Sequence, residues 1–186
     1  YDDSLKLATV TGGIDVTGIT VSDGMSTNTS GTSNFIAGVN AGNSIESGGN
    51  YNVAVGDEAG TAISTGGYNT ALGYAALDAN TTGTYNVAVG YNSASTITTT
   101  AGTTAIGGLA LSDATTGTTN TAVGFQASRY LTTGDNNTAM GYLSLGGTGV
   151  VTGDNNTAVG ASALVANTSG HSNVAVGKGA LDAATT

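Results

Sequence analysis

Apolar positions in this chain recur in a five-residue phrase. Asn52-Val53-Ala54-Val55-Gly56 returns as Asn69-Thr70-Ala71-Leu72-Gly73, as Asn86-Val87-Ala88-Val89-Gly90 and as Thr103-Thr104-Ala105-Ile106-Gly107. It continues from Asn120 to Gly124, Asn137 to Gly141, Asn156 to Gly160 and Asn173 to Gly177. The closing glycines stand at 56, 73, 90, 107, 124, 141, 160 and 177, an even step broken only by the longer one from Gly141 to Gly160. Asn34-Phe35-Ile36-Ala37-Gly38 precedes them as a degenerate first copy. A small residue stands three positions after each glycine: Ala59, Ala76, Ser93, Ala110, Ala127, Ser144, Ala163 and Ala180. Turn glycines form a third column at 49, 66, 83, 117, 134, 153 and 170, with Thr100 in the remaining slot. The extra length of the long copy falls between Leu145 and Gly153, where Gly146-Gly147-Thr148-Gly149 reads as a lengthened loop.

A period this short selects an architecture. Helical repeats need about 33 residues or more to hold two helices, whereas about 17 accommodate two short strands and two turns. The pattern therefore predicts an all-β parallel β-solenoid or β-roll whose coils stack about 4.8 Å apart, giving eight copies a length of roughly 38 Å. A three-sided hexapeptide helix fits less well, because 17 does not divide by six, so a flattened two-sided coil is expected. In such a stack each position meets its own counterpart above and below, which makes the Asn positions an amide column and the glycines sites of positive φ.

The third position of the phrase is Ala in all eight copies and the fourth is always aliphatic: Val55, Leu72, Val89, Ile106, Val123, Met140, Val159 and Val176. Neighbouring residues of a strand point to opposite faces, so one of these two apolar columns looks into the coil and the other looks away from it. The period alone does not say which. A continuous apolar column on the outside marks an interface, so several copies are expected to associate along the rod axis; the plainer alternative is a row of Ala facing water.

Composition narrows the classes further. Gly (31) and Thr (33) supply 64 of 186 residues, and Pro, Cys and Trp are absent. Zero Cys excludes disulfides, zinc-thiolate sites and thiol catalysis. Three basic residues, Lys6, Arg129 and Lys178, against twelve acids give a formal charge of −9, which cannot neutralise a phosphate backbone, so nucleic acid is not an expected partner. No apolar run reaches the roughly 18 residues of a membrane helix, so no membrane insertion by that route is expected.

The Asn-(Thr/Val)-Ala-aliphatic-Gly core resembles the head repeats of trimeric autotransporter adhesins. The longer form, with Asn80-Thr81-Thr82-Gly83 and Thr115-Thr116-Gly117 between copies, is more similar to bacteriophage tail-fibre proteins. The leader Lys6-Leu7-Ala8-Thr9 followed by Thr11-Gly12-Gly13-Ile14-Asp15-Val16-Thr17-Gly18 resembles the segment that precedes such repeats in marine phage fibres. The likeness covers residues 34–186 strongly and 5–24 weakly, and it rests on shaft repeats alone. It implies a homotrimeric fibre shaft on a virion tail or a cell-surface appendage, hence an extracellular location. It also implies attachment to a host cell through a surface glycan or protein receptor; the residues themselves lead to no expected cofactor and no expected enzyme activity. A cell-surface trimeric adhesin or filament subunit is the alternative; an ice-binding solenoid and a polysaccharide-degrading tailspike rank below it.

Ahead of the repeats, alternation at Leu5 and Leu7, Ile14 and Val16, and Ile19 and Val21 predicts short strands, and the polar residues 25–33 read as a linker. The division is therefore 1–33, an N-terminal β segment, and 34–186, the shaft. The segment from Leu181 to Thr186 stops inside a coil, so further chain or a partner is expected there.

Candidate chemistry is sparse. His171, the only imidazole, sits beside a turn glycine, and a lone His supports no Ser/His/Asp constellation. Gly134-Asp135-Asn136-Asn137 and Gly153-Asp154-Asn155-Asn156 occupy equivalent turns of adjacent coils. Stacking could bring the two acids to about 5 Å, near the separation of retaining-glycosidase carboxylates or of a cation-bridged pair. Asp after Gly and before Asn equally suits a turn that bonds its own backbone, so no catalytic, cofactor or metal residue is assigned. The aromatics Tyr68 and Tyr85, and Tyr74, Tyr91, Phe125 and Tyr142, suit stacking between coils or a sugar-contacting strip. Thr70, Thr104, Thr121, Thr138 and Thr157 form the one candidate ice-binding column, interrupted by Val53, Val87 and Val174. Arg129 and Tyr130, in a loop holding the only Arg, are the candidates for a local surface contact.

Overall fold

The computed structural model describes residues 6–10, 13–17, 25–26, 29–147 and 149–183, and among these residues every regular element is a β-strand. Strands β1 (Lys6–Val10) and β2 (Gly13–Thr17) form an antiparallel hairpin in which Leu7 pairs with Val16 and Val10 with Gly13. Leu5, Ile19 and Val21, expected in strands here, lie outside the described residues. The rod itself is one sheet. Its strands are β4 (Phe35–Ala37), β5 (Val53–Val55), β6 (Thr70–Leu72), β7 (Val87–Val89), β8 (Thr104–Ile106), β9 (Thr121–Val123), β10 (Thr138–Met140), β11 (Thr157–Val159) and β12 (Val174–Val176). They are parallel and in register, with Ala54 beside Ala71, Ala71 beside Ala88, and so on to Ala175. The short strand β3 (Met25–Ser26) pairs antiparallel with β4 and covers that edge of the sheet. The polar stretch read as a linker thus contributes to the rod, and the Thr32 amide and carbonyl already bond Asn50 and Tyr51 of the next coil.

Each coil contributes one strand, not the two expected. The return leg alternates the handedness of its backbone: Ala75, Leu77, Asn92, Ala94, Leu109 and Leu111 all have φ between 48 and 59°, as do their counterparts in later coils within a few degrees. Positive φ breaks the pleat of a strand and costs an L residue roughly 1–2 kcal/mol. The leg still bonds to the coil above, through Gly60 N to Ala76 O at 2.8 Å and Ala62 N to Asp78 O at 2.9 Å. The closing glycines have φ of 121–141°, and a Cβ on Gly73 would lie 2.7 Å from the carbonyl oxygen of Gly90. Glycine is therefore required there both by its own dihedral and by the coil stacked on it.

The Ala column is the inward one. Ala54, Ala71, Ala88, Ala105, Ala122, Ala139 and Ala158 are fully buried, as are most of the small residues that follow each glycine by three. Although the coil of Gly141 also buries Val151, paired with Leu131 below it, one bulky side chain per coil otherwise fills what space remains. It is Ile63, seven positions after its glycine, then Leu77, four after, then Ile97 at seven, Leu111 at four, Leu131 at seven and Leu145 at four, all fully buried. The two positions compete for one volume: a Cβ on Gly60, at the four-position, would lie 2.7 Å from the Cδ1 of Ile63.

The Asn column holds adjacent coils together. Asn69 Nδ2 donates to the carbonyl of Gly83 at 2.8 Å, while its Oδ1 accepts the amide of Asn86 at 3.0 Å. Asn34, Asn52, Asn86, Asn137 and Asn156 make the same two bonds to the coil above them. Each of these side-chain amides therefore satisfies two backbone groups that no strand ladder reaches.

Candidate functional site: the outward face and its flanking columns

With Ala inside, the larger aliphatics point out. Leu72 and Met140 are 44% exposed, Ile106 39% and Val176 70%, while Val55, Val89, Val123 and Val159 are half-buried between them. The plainer alternative of an Ala row facing water does not hold; the wet column is the bulky one. The second position of each phrase shares this face, so a second column of Val53, Thr70, Val87, Thr104, Thr121, Thr138, Thr157 and Val174 runs beside the first. Neither column holds a charge, although the chain carries −9. The Thr residues of this face do not make a continuous array, being broken at Val53, Val87 and Val174.

Aromatic columns flank the strands. Tyr51, Tyr68 and Tyr85 stack on one side with ring centroids 4.9 Å apart, and Tyr74 and Tyr91 stack at 5.7 Å on the other, followed further up by Phe125 and Tyr142 at 6.2 Å. Stacking uses the ring faces, which are the surfaces a sugar would cover, and leaves mainly edges and hydroxyls to solvent. The Tyr74 phenol is held above its ordinary value by its hydrogen bond to Glu58 and by that carboxylate's charge.

The two acids singled out in the sequence cap neighbouring turns. Asp135 Oδ1 accepts the Thr118 amide at 2.7 Å and its hydroxyl at 3.1 Å, and Asp154 Oδ1 accepts the Asp135 amide at 2.8 Å. His171 Nδ1 continues the column by accepting the Asp154 amide at 3.1 Å, and lies 3.8 Å from Asp154 Oδ2. Asn50 does the same for the Thr32 amide at 2.7 Å in the first coil. Asp, His and Asn are thus interchangeable here as acceptors for a backbone N–H of the coil below. Among the described residues no group of three or more His, Cys, Asp or Glu gathers in a metal-binding arrangement. Arg129, the surface-contact candidate, folds back: its guanidinium lies 5.0 Å from the centre of the Tyr130 ring, and both residues are half-buried.

Asp78 was not singled out from the sequence, and nothing in its repeat position could have done so. Its carboxyl is held above its ordinary value of 3.8, chiefly by burial and slightly by Glu58, against the lowering effect of the Ala79 amide and its own; Oδ1 is buried without a partner. The folded chain therefore binds this proton more tightly than the unfolded chain. Its contribution to stability is fully present below 3.8 and is lost as pH rises through the higher folded-state value. Asp78→Asn is expected to raise the urea midpoint at pH 7 and to flatten its pH dependence between pH 4 and 7, checked by paired denaturation series across that range.

No protein-family model, curated protein or solved structure matches this chain. No helix among the described residues is long and apolar enough to cross a membrane.

Proposed function

We propose that this chain is a length of fibre shaft, of the kind built into bacteriophage tail fibres, in which copies lie side by side and present receptor-binding surface to a host cell. The observation that carries the reading is the uncharged, aliphatic outward face on a chain of charge −9. Nine parallel strands spaced about 4.8 Å apart, each about 17 Å across with its flanking residues, make a face of roughly 650 Å² per copy. That is close to the ~800 Å² per partner of a standard stable interface. Like charge on the remaining sides opposes contact there, so a second copy of the same chain is the partner that best fits this side. The resemblance of the repeat to fibre and adhesin shafts supplies three as the number of copies; an adhesin stalk on a cell surface would use the same construction. The stacked interior suits length and stiffness, not turnover.

Sedimentation equilibrium at micromolar concentration tests the reading. A particle of three 17.8 kDa chains is the expected result, and a monodisperse single chain with its aliphatic column in water would overturn it.

A further inference from the structure

The amide column that ties coil to coil is interrupted in one place. In the coil that carries β8, the Asn of the amide column is replaced by Thr103, and the turn glycine by Thr100. Both hydroxyls are buried without a hydrogen-bond partner. The first aromatic column ends at Tyr85, because the next coil places Gly102 there, and the second is broken between Tyr91 and Phe125 by Gly108. The coil below remains fastened: Asn86 Nδ2 donates to Thr100 O at 2.8 Å, and Asn86 Oδ1 accepts the Thr103 amide at 2.9 Å. Above, the corresponding pair of bonds is not made. An Asn at 103 would donate to the Gly117 carbonyl and accept the Asn120 amide, as Asn120 does for Gly134 at 2.7 Å and Asn137 at 2.8 Å. Backbone bonds still cross this level, with Thr104 N to Asn120 O at 2.8 Å and Gly124 N to Ile106 O at 2.7 Å.

From this gap in the amide column we infer that the rod contains a built-in plane of opening between the coils of β8 and β9, where it bends or parts before it does so anywhere else between Asn52 and Asn173. Two stiff segments meet there through the backbone ladder and the buried Ile97, Leu111 and Leu131. Local opening free energies differ along a chain, and a level lacking two buried side-chain bonds that its neighbours make sits at the low end of that range. The inference concerns bonds within one chain and does not depend on how copies associate.

Hydrogen exchange on the full chain, read by mass spectrometry, tests it. Segment 115–121 is expected to exchange about tenfold faster than the equivalent segments 132–138 and 151–157, the factor that two modest hydrogen bonds supply. Thr103→Asn should bring segment 115–121 down to the rate of the others. Asn137→Thr, which transplants the gap, should raise exchange in 151–157 by a similar factor and so provides a second reading if the first variant folds poorly. Equal protection of the three segments in the unaltered chain would overturn the inference, as would an Asn137→Thr variant whose segment 151–157 exchanges no faster.

Discussion

Leu72→Glu combined with Met140→Glu is expected to reduce the assembly to single chains while leaving each chain folded. Both side chains point away from the interior and lie 44% exposed in a lone chain, so a carboxylate at either position meets water until a second copy arrives. Burying it against another aliphatic column then removes it from water with no cation nearby, since neither outward column contains a Lys or Arg. An unpaired buried charge costs several kcal/mol, and a loss of about 4 kcal/mol weakens Kd by about three orders of magnitude. Two such charges per chain exceed what a face of this size can hold. Sedimentation at micromolar concentration should then show one chain per particle, with an unchanged far-ultraviolet circular dichroism spectrum. A variant that stays fully associated would show that copies meet by another side, and the proposed role of this face would be wrong.

The second large effect is internal. Asn137→Ala removes the side chain that donates to Gly153 O at 2.9 Å and accepts the Asn156 amide at 2.9 Å. Both backbone groups lie in buried residues. Each orphaned group costs about 1–3 kcal/mol, so a loss of about 2–5 kcal/mol is expected, well above the effect of an ordinary surface change. Thermal denaturation of the two proteins side by side would measure it. Asn137→Asp is the sharper control: it keeps the acceptor for Asn156 but turns the donor to Gly153 into a second acceptor, so it should recover little of the loss.

The period, the strand, the Asn column and the closing glycines could all be read from the residues, because stacking forces each position to repeat its own chemistry. The return leg could not. Leu77, Leu111, Leu145 and Leu164 hold φ of 47–53°, a conformation that Leu otherwise avoids, and no Gly or Asn stands there to announce it. Burial of the Leu side chain offsets the backbone strain, so the signal that would reveal the turn is hidden under one that looks like ordinary core. The inward and outward faces were equally ambiguous. Ala and Val in adjacent positions are both apolar, and only the narrow spacing between the strand and the column of Ala59, Ala76 and Ser93 decides that the smaller one goes inside. For Asp135 and Asp154, spacing suggested a catalytic or cation-binding pair, yet each commits an oxygen to a neighbouring amide, which repeat position alone does not disclose.

The exchange of the bulky interior residue between two stations has a consequence for the length of the rod. Ile63, Leu77, Ile97, Leu111, Leu131 and Leu145 switch sides at every step, and the closing glycines of their coils, from Gly56 to Gly141, are evenly spaced. Where two successive coils bury a residue at the same station, as with Ile45 and Ile63, Leu145 and Leu164, or Leu131 and its directly paired Val151, extra residues lie between the two. The natural unit of growth is therefore a pair of coils and not one. Splicing out one such pair between Ile63 and Leu145 would yield a shorter rod that still meshes. Splicing out a single coil there would set two branched side chains directly over one another, with no added slack to part them.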